Sequence, residues 1–154
     1  MQPKNKTIIA IYGRQNEGKS ETIKKTCKLF LDNFPTATSS PIRENIDYSK
    51  DILVEFIIDG VKLGFESQGD PNGKQFDTIN NLANNGCYII VCASRTKGET
   101  THLIDNIANQ HNYHTVWISS FFSPLLNSNT LNIKASENLL EIIKSLMTGQ
   151  ISEL

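Results

Sequence analysis

Short apolar runs and longer amphipathic ones alternate along the chain, and that alternation predicts an α/β protein. Residues 7–12, Thr7-Ile8-Ile9-Ala10-Ile11-Tyr12, are continuously apolar and rich in β-branched side chains, as a strand buried on both faces of a parallel sheet requires. Ile23, Cys27, Phe30, Leu31 and Phe34 then recur at helical spacing, with Lys24, Lys25, Lys28 and Asp32 on the other side and Pro35 ending the helix. Residues 36–49 carry Thr, Ser and Pro with little apolar content and read as a mobile loop. Residues 52–58 and 61–66 flank Asp59-Gly60, a two-residue hairpin signal, so these strands pair antiparallel with Ile58 opposite Val61, Phe56 opposite Leu63 and Val54 opposite Phe65.

Further along, Asp70-Pro71 starts a helix that Phe76, Ile79, Leu82 and Ala83 continue and Gly86 closes. Residues 87–93 form another buried strand, Leu103, Ile104, Ile107 and Ala108 mark a helix, and residues 115–118 the last strand. Residues 127–132 read as a polar connector to a terminal helix lined by Leu139, Leu140, Ile142, Ile143, Leu146 and Met147. The expected architecture is a single domain over residues 1–154, a three-layer α/β sheet of about five strands, mostly parallel with one antiparallel edge hairpin.

Composition narrows the function classes without changing the fold. A length of 154 residues suits one domain, and fifteen basic against sixteen acidic residues leave a charge of −1. That balance carries no strong nucleic-acid signal and no basis for holding an anionic membrane by bulk charge. Cys27, Cys87 and Cys92 are odd in number and form no C-x-x-C, so they read as reduced core residues in a reducing, cytoplasmic setting. No apolar stretch approaches the length of a membrane span and the start of the chain lacks a secretory pattern, so no membrane partner is expected. His102, His111 and His114 lack cysteine or carboxylate partners at ligand spacing and read as surface residues.

The candidate chemistry concentrates after the first strand. Gly13, Gly18, Lys19 and Ser20 match G-x-x-x-x-G-K-[ST] at every fixed position, between a strand and a helix. The glycines permit a tight loop whose backbone N–H groups face phosphate oxygens, and the helix adds its positive end. The nucleotide-binding set is Gly13, Asn16, Glu17, Gly18, Lys19, Ser20 and Glu21. Lys19 would reach the β- and γ-phosphates, and Ser20 would offer its hydroxyl to Mg2+. At the end of the hairpin, Glu66 and Asp70 compete for the metal role, and Gln68 is the candidate to align a water. After the strand at 87–93, Arg95 leads Lys97 as the cation that stabilises a transferring phosphoryl group. Arg43 and the hydroxyls of residues 36–49 are candidates for γ-phosphate contacts, or parts of a solvated connector. Phe121 or Phe122 could stack on a base, although core packing is the expected use of both.

With these motifs the chain resembles the P-loop NTPase superfamily, specifically at residues 13–20 and loosely elsewhere. The hairpin and the E-x-x-G stretch from Glu66 to Gly69 look like the switch-GTPase and small-kinase branch, with Glu where the GTPase element has Asp. Thr96-Lys97-Gly98-Glu99 approximates the guanine-reading [NT]-K-x-D, again with Glu for Asp, so the resemblance implies ATP as the default nucleotide and GTP as the lesser choice. The implied activity is Mg2+-dependent hydrolysis of a nucleoside triphosphate. The alternatives are a kinase for a small molecule or nucleotide, and a nucleotide-dependent binding or switch protein with a protein partner.

Overall fold

Why the chain folds around its first strand follows from pairing. The structure, a computed structural model, describes residues 3, 5–14, 17–69, 73–94 and 99–152, with the backbone alone at 99–101. The elements are β1 (Thr7–Tyr12), α1 (Lys19–Asn33), β2 (Thr38–Ser40), β3 (Leu53–Ile58), β4 (Val61–Glu66), α2 (Gln75–Asn84), β5 (Ile89–Ser94), α3 (Glu99–His111), β6 (His114–Ser119) and α4 (Ser128–Met147). They build an α/β fold on one mixed sheet ordered β2-β3-β4-β5-β1-β6. β1 lies parallel between β5 and β6, and β4 runs parallel to β5. β3 alone is reversed, antiparallel to both β2 and β4.

The hairpin register is the one the turn dictates, Ile58 with Val61, Phe56 with Leu63 and Val54 with Phe65. The strand number differs from expectation: there are six, because β2 forms inside the stretch read as a mobile loop. Its three residues carry no apolar alternation, and they become a strand because β3 leaves an edge open, pairing Thr38 with Ile57 and Ser40 with Glu55. The hairpin therefore lies one strand in from the edge.

Helices cover both faces. On one, Ile23, Cys27, Phe30 and Leu31 of α1 and Leu139, Leu140, Ile143 and Met147 of α4 pack on Ile9, Ile11, Phe56 and Phe65. Phe30 stacks on Phe56 at 5.1 Å between ring centroids, and Phe56 meets Phe65 at 5.2 Å, which locks α1 over the hairpin. On the other, Ile79 and Leu82 of α2 and Ile104 and Ile107 of α3 cover Ile8, Ala10, Ile90 and Cys92. Gly64 lets Leu82 pack close to the sheet there, since a Cβ would stand 2.9 Å from a Leu82 methyl and force it to shift. His111 Nε2 lies 2.6 Å from Asn80 Oδ1, linking α3 to α2. The three cysteines are buried and unpaired, and burial pushes the Cys27 and Cys87 thiols up to about 12, which keeps them protonated. Among the described residues no helix is long and apolar enough to cross a membrane.

Two helix starts and one loop differ from the sequence pattern. α2 begins at Gln75 with Lys74 at its N-cap, so Asp70 does not cap it; Asp70 and Pro71 lie outside the described residues. The buried stripe of α2 is Gln75, Ile79 and Leu82, which leaves Phe76 exposed. α4 begins at Ser128 because Asn127 Oδ1 accepts from Thr130 N at 3.0 Å, so residues 127–132 are a cap and first turn rather than a connector. Phe121 and Phe122 are exposed rather than packed in the core. Lys24, expected on the solvent side of α1, is buried along its stem and pairs with Glu21 at 2.8 Å.

Because β1, β4, β5 and β6 are parallel, their C-terminal ends share one edge of the sheet, and the reversed β3 begins at that edge, where Leu53 pairs with Glu66. Gly13, which follows β1, and Gly18, which precedes α1, lie at that edge.

Candidate functional site

Gly18 makes the turn from loop to helix. It sits in the left-handed region at φ 85° as the N-cap of α1, and its carbonyl accepts from Thr22 N at 2.9 Å. A side chain at this position would also run into Asn132 of α4, so conformation and space both require glycine. Gly13 is less constrained: a Cβ there would lie 3.0 Å from Ser120 Oγ, a tight contact that the serine side chain would have to yield to. The Gly13 N–H donates to Ser94 O, and Ser120 N donates to Tyr12 O, so the ends of β1, β5 and β6 are tied together.

Lys19 folds back over this loop. Its ammonium donates to Gly13 O at 2.7 Å and to Ser94 O at 2.9 Å, spanning the ends of β1 and β5. Gly13, Glu17, Gly18, Lys19 and Ser20 are therefore brought together at the end of β1, with Glu17 Oε2 3.5 Å from the Cβ position of Gly13. Glu21 points outward to Lys24. Asn16 lies outside the described residues, as does Arg95, which follows the Ser94 carbonyl that Lys19 holds.

The carboxylate that meets Ser20 is Asp51, just before β3. Ser20 Oγ donates to Asp51 Oδ1 at 2.7 Å, and Ser67 Oγ donates to the same oxygen at 3.0 Å. Ser67 is itself fixed: its hydroxyl accepts from Ile52 N at 2.8 Å and its N–H donates to Ile52 O at 3.0 Å. Neither Asp51 nor Ser67 stands out by motif, yet a hairpin reading carries the signal. If β4 ends at the site, its antiparallel partner must begin there, and the residues just before β3 are then beside the loop.

A strap along α1 delivers Asp51. The Arg43 guanidinium donates to Leu31 O at 2.8 Å and Ala37 O at 3.0 Å, with longer bonds to Phe34 O and Pro35 O. It therefore serves the C-terminal end of α1, at the opposite end of the helix from Gly18, Lys19 and Ser20, and does not reach the γ-phosphate place expected for it. Midway, Tyr48 Oη lies 3.7 Å from Cys27 Sγ. Asp47 Oδ1 accepts from Ser49 N at 3.0 Å and Ser49 Oγ at 2.5 Å, turning the chain toward Asp51, and these bonds hold the Asp47 carboxyl below its ordinary range.

Glu66 occupies a different environment. It is 2% exposed, on the α2 side of the sheet, with Oε1 accepting from Gly69 N at 2.6 Å and Oε2 from Gln75 Nε2 at 3.0 Å. Gln75 Nε2 also donates to Ala93 O at 2.6 Å, tying β4, β5 and α2 at one point. Burial outweighs these bonds and pushes the carboxyl up to about 7. Glu66 thereby fixes the turn that carries Gln68, which is exposed at the sheet edge.

The donor set next to the loop is all oxygen, the hydroxyl of Ser20 and the carboxylate of Asp51, which fits a hard cation such as Mg2+. Among the described residues no three His, Cys, Asp or Glu side chains group as a metal cage. Mg2+ commonly uses one or two protein ligands together with substrate phosphates. In comparisons with known proteins, no family model, curated protein or solved structure matches this chain.

Proposed function

We propose that this chain binds a magnesium nucleoside triphosphate, ATP in preference to GTP, at residues 13–20 and transfers its terminal phosphoryl group to water. The observation that carries this reading is the position of Lys19, whose ammonium spans Gly13 O and Ser94 O directly after a left-handed Gly18 that opens a fifteen-residue helix. The helix start presents its N–H groups and positive dipole end to an anion, and the Lys19 ammonium can exchange these carbonyls for phosphate oxygens. Ser20 would hold the magnesium ion, which when bound spreads the charge of the β- and γ-phosphate oxygens.

Chemistry at such a site is positioning and electrostatics. A water oxygen bonds to the γ-phosphorus as the bond to the β–γ bridging oxygen breaks, and the water proton leaves on phosphate. Gln68, exposed at the end of β4, is assigned to orient that water, and Arg95 to carry charge from the loop after Ser94. The preference for ATP rests on Glu99 standing where a guanine-reading aspartate belongs. Exposed Phe121 and Phe122, directly after Ser120 at the loop, offer a stacking surface for a base.

A thermal-shift panel of nucleotides with magnesium tests binding: at a hundred times its dissociation constant a ligand stabilises by about 2.7 kcal/mol. ATP is expected to raise the melting temperature more than GTP, and phosphate release is expected from ATP alone. Release only after an acceptor is added would replace hydrolase by kinase, and a response to no nucleotide would remove the reading.

A further inference from the structure

We infer that Asp51 is the carboxylate that makes nucleotide binding depend on magnesium, a role that resides at the start of the reversed strand rather than at the end of the parallel one. The inference rests on the nucleotide reading above. Asp51 Oδ1 is one hydrogen bond, 2.7 Å, from the Ser20 hydroxyl that follows Lys19. Among the described residues no cation pairs with Asp51; its partners are the two hydroxyls of Ser20 and Ser67. The side chain is exposed, so a cation and its waters have access.

Glu66 lacks these properties. Its two oxygens already accept from Gly69 N and Gln75 Nε2, and it is buried on the face of the sheet covered by α2, away from Ser20 at the head of α1. Phe65 packs on the α1 side, so the alternation along β4 turns Glu66 to the other side and Ser67 back toward Asp51.

Charge gives the consequence. A triphosphate in the loop places several negative charges beside the Asp51 carboxylate, and like charges at a few ångströms repel. Without a divalent cation Asp51 opposes nucleotide binding; with one, Asp51 and Ser20 share it and the sign of the interaction reverses. The strap sustains this arrangement, because Arg43 and Tyr48 hold residues 43–51 along α1 and keep Asp51 at Ser20.

The test is calorimetric titration of ATP into the full chain, in excess magnesium and in EDTA, for wild type, Asp51→Asn and Glu66→Gln. Asn keeps an oxygen for the Ser20 and Ser67 hydroxyls while removing the charge. Asp51→Asn is expected to bind ATP in EDTA at least as tightly as wild type, and to lose about 10–100-fold of the gain that magnesium gives. Glu66→Gln should keep that gain. Asp51→Glu, which restores the charge, should recover part of it, and a recovery of none would count against a ligand role. If Asp51→Asn retains the full magnesium gain, the inference is overturned while nucleotide binding stands. If wild type binds ATP in neither condition, the nucleotide reading fails, and this one with it.

Discussion

Asn132 of α4 sits against Gly18, filling the space that any side chain at position 18 would enter. The contact joins the start of α1 to the second turn of α4, between residues more than a hundred positions apart, and it places this glycine under two constraints. A residue with a Cβ at φ 85° costs about 1–2 kcal/mol in backbone strain, and the overlap with Asn132 adds to it. Gly18→Ala should therefore lower the melting temperature by more than strain alone. Combining it with Asn132→Ala should recover the overlap but not the strain. Melting curves of the two single variants and the double give the coupling, and simple additivity would show that the two positions act independently.

Lys19 has a structural duty as well as its proposed one. Its ammonium satisfies the carbonyls of Gly13 and Ser94, and hydrogen bonds from a charged donor are worth about 1.5–3 kcal/mol each. Lys19→Met is accordingly expected to lower the melting temperature even without nucleotide. It should also weaken ATP binding by about 10–100-fold, the equivalent of one such bond. Equal melting of variant and wild type in the absence of nucleotide would show that the carbonyl contacts contribute nothing.

These two positions were legible in the sequence because their chemistry is local. A left-handed glycine, a helix start and a lysine beside it form one continuous motif, and the register of the hairpin at Asp59-Gly60 follows from turn length alone. What stayed hidden depends on where the chain returns. Asp51 lies thirty-one positions from Ser20, and only the reversed direction of β3 brings them together. β2 exists because an edge of β3 was open, not because Thr38, Ser39 and Ser40 prefer extended structure. The start of α4 was obscured because its first turn is polar; its signal was the capping residue Asn127, not apolar spacing. By charge and position Arg43 reads as either a phosphate contact or part of a solvated connector, whereas its planar fork is spent on backbone carbonyls at the far end of α1.

Arg43 should accordingly behave as a clamp. Arg43→Ala strips donors from the carbonyls of Leu31 and Ala37, and the loss of one or two charged hydrogen bonds in a half-buried site costs about 1–3 kcal/mol. Arg43→Lys should restore little, since a point charge cannot reproduce a fork that reaches several carbonyls at once. Limited trypsin digestion followed by mass spectrometry reads the effect on the strap: cleavage after Lys50 should accelerate in both variants relative to wild type. An unchanged rate after Lys50 would mean that Tyr48 and the Asp47 turn hold the strap without Arg43.

Glu66 offers a pH signature with a definite sign. Burial raises its carboxyl from an ordinary value of 4.5 to about 7 in the folded chain, against the opposing bonds from Gln75, Gly69 and the backbone. Between those two values the folded state holds a proton that the unfolded state has released, so stability falls as pH rises across this window. The contribution is fully present below pH 4.5 and is lost once pH passes 7; a shift of this size corresponds to roughly 3 kcal/mol. Glu66→Gln removes the titration at the cost of one acceptor for Gly69 or Gln75. The difference in stability between wild type and Glu66→Gln, measured by urea unfolding at pH 4.5, 6 and 7.5, should favour wild type most at the lowest pH and decline steadily. Other titrating groups common to both proteins cancel in that difference. A difference that stays flat would place the Glu66 carboxyl near its ordinary value, and one that grows with pH would mean that the bonds from Gln75 and Gly69 outweigh burial after all.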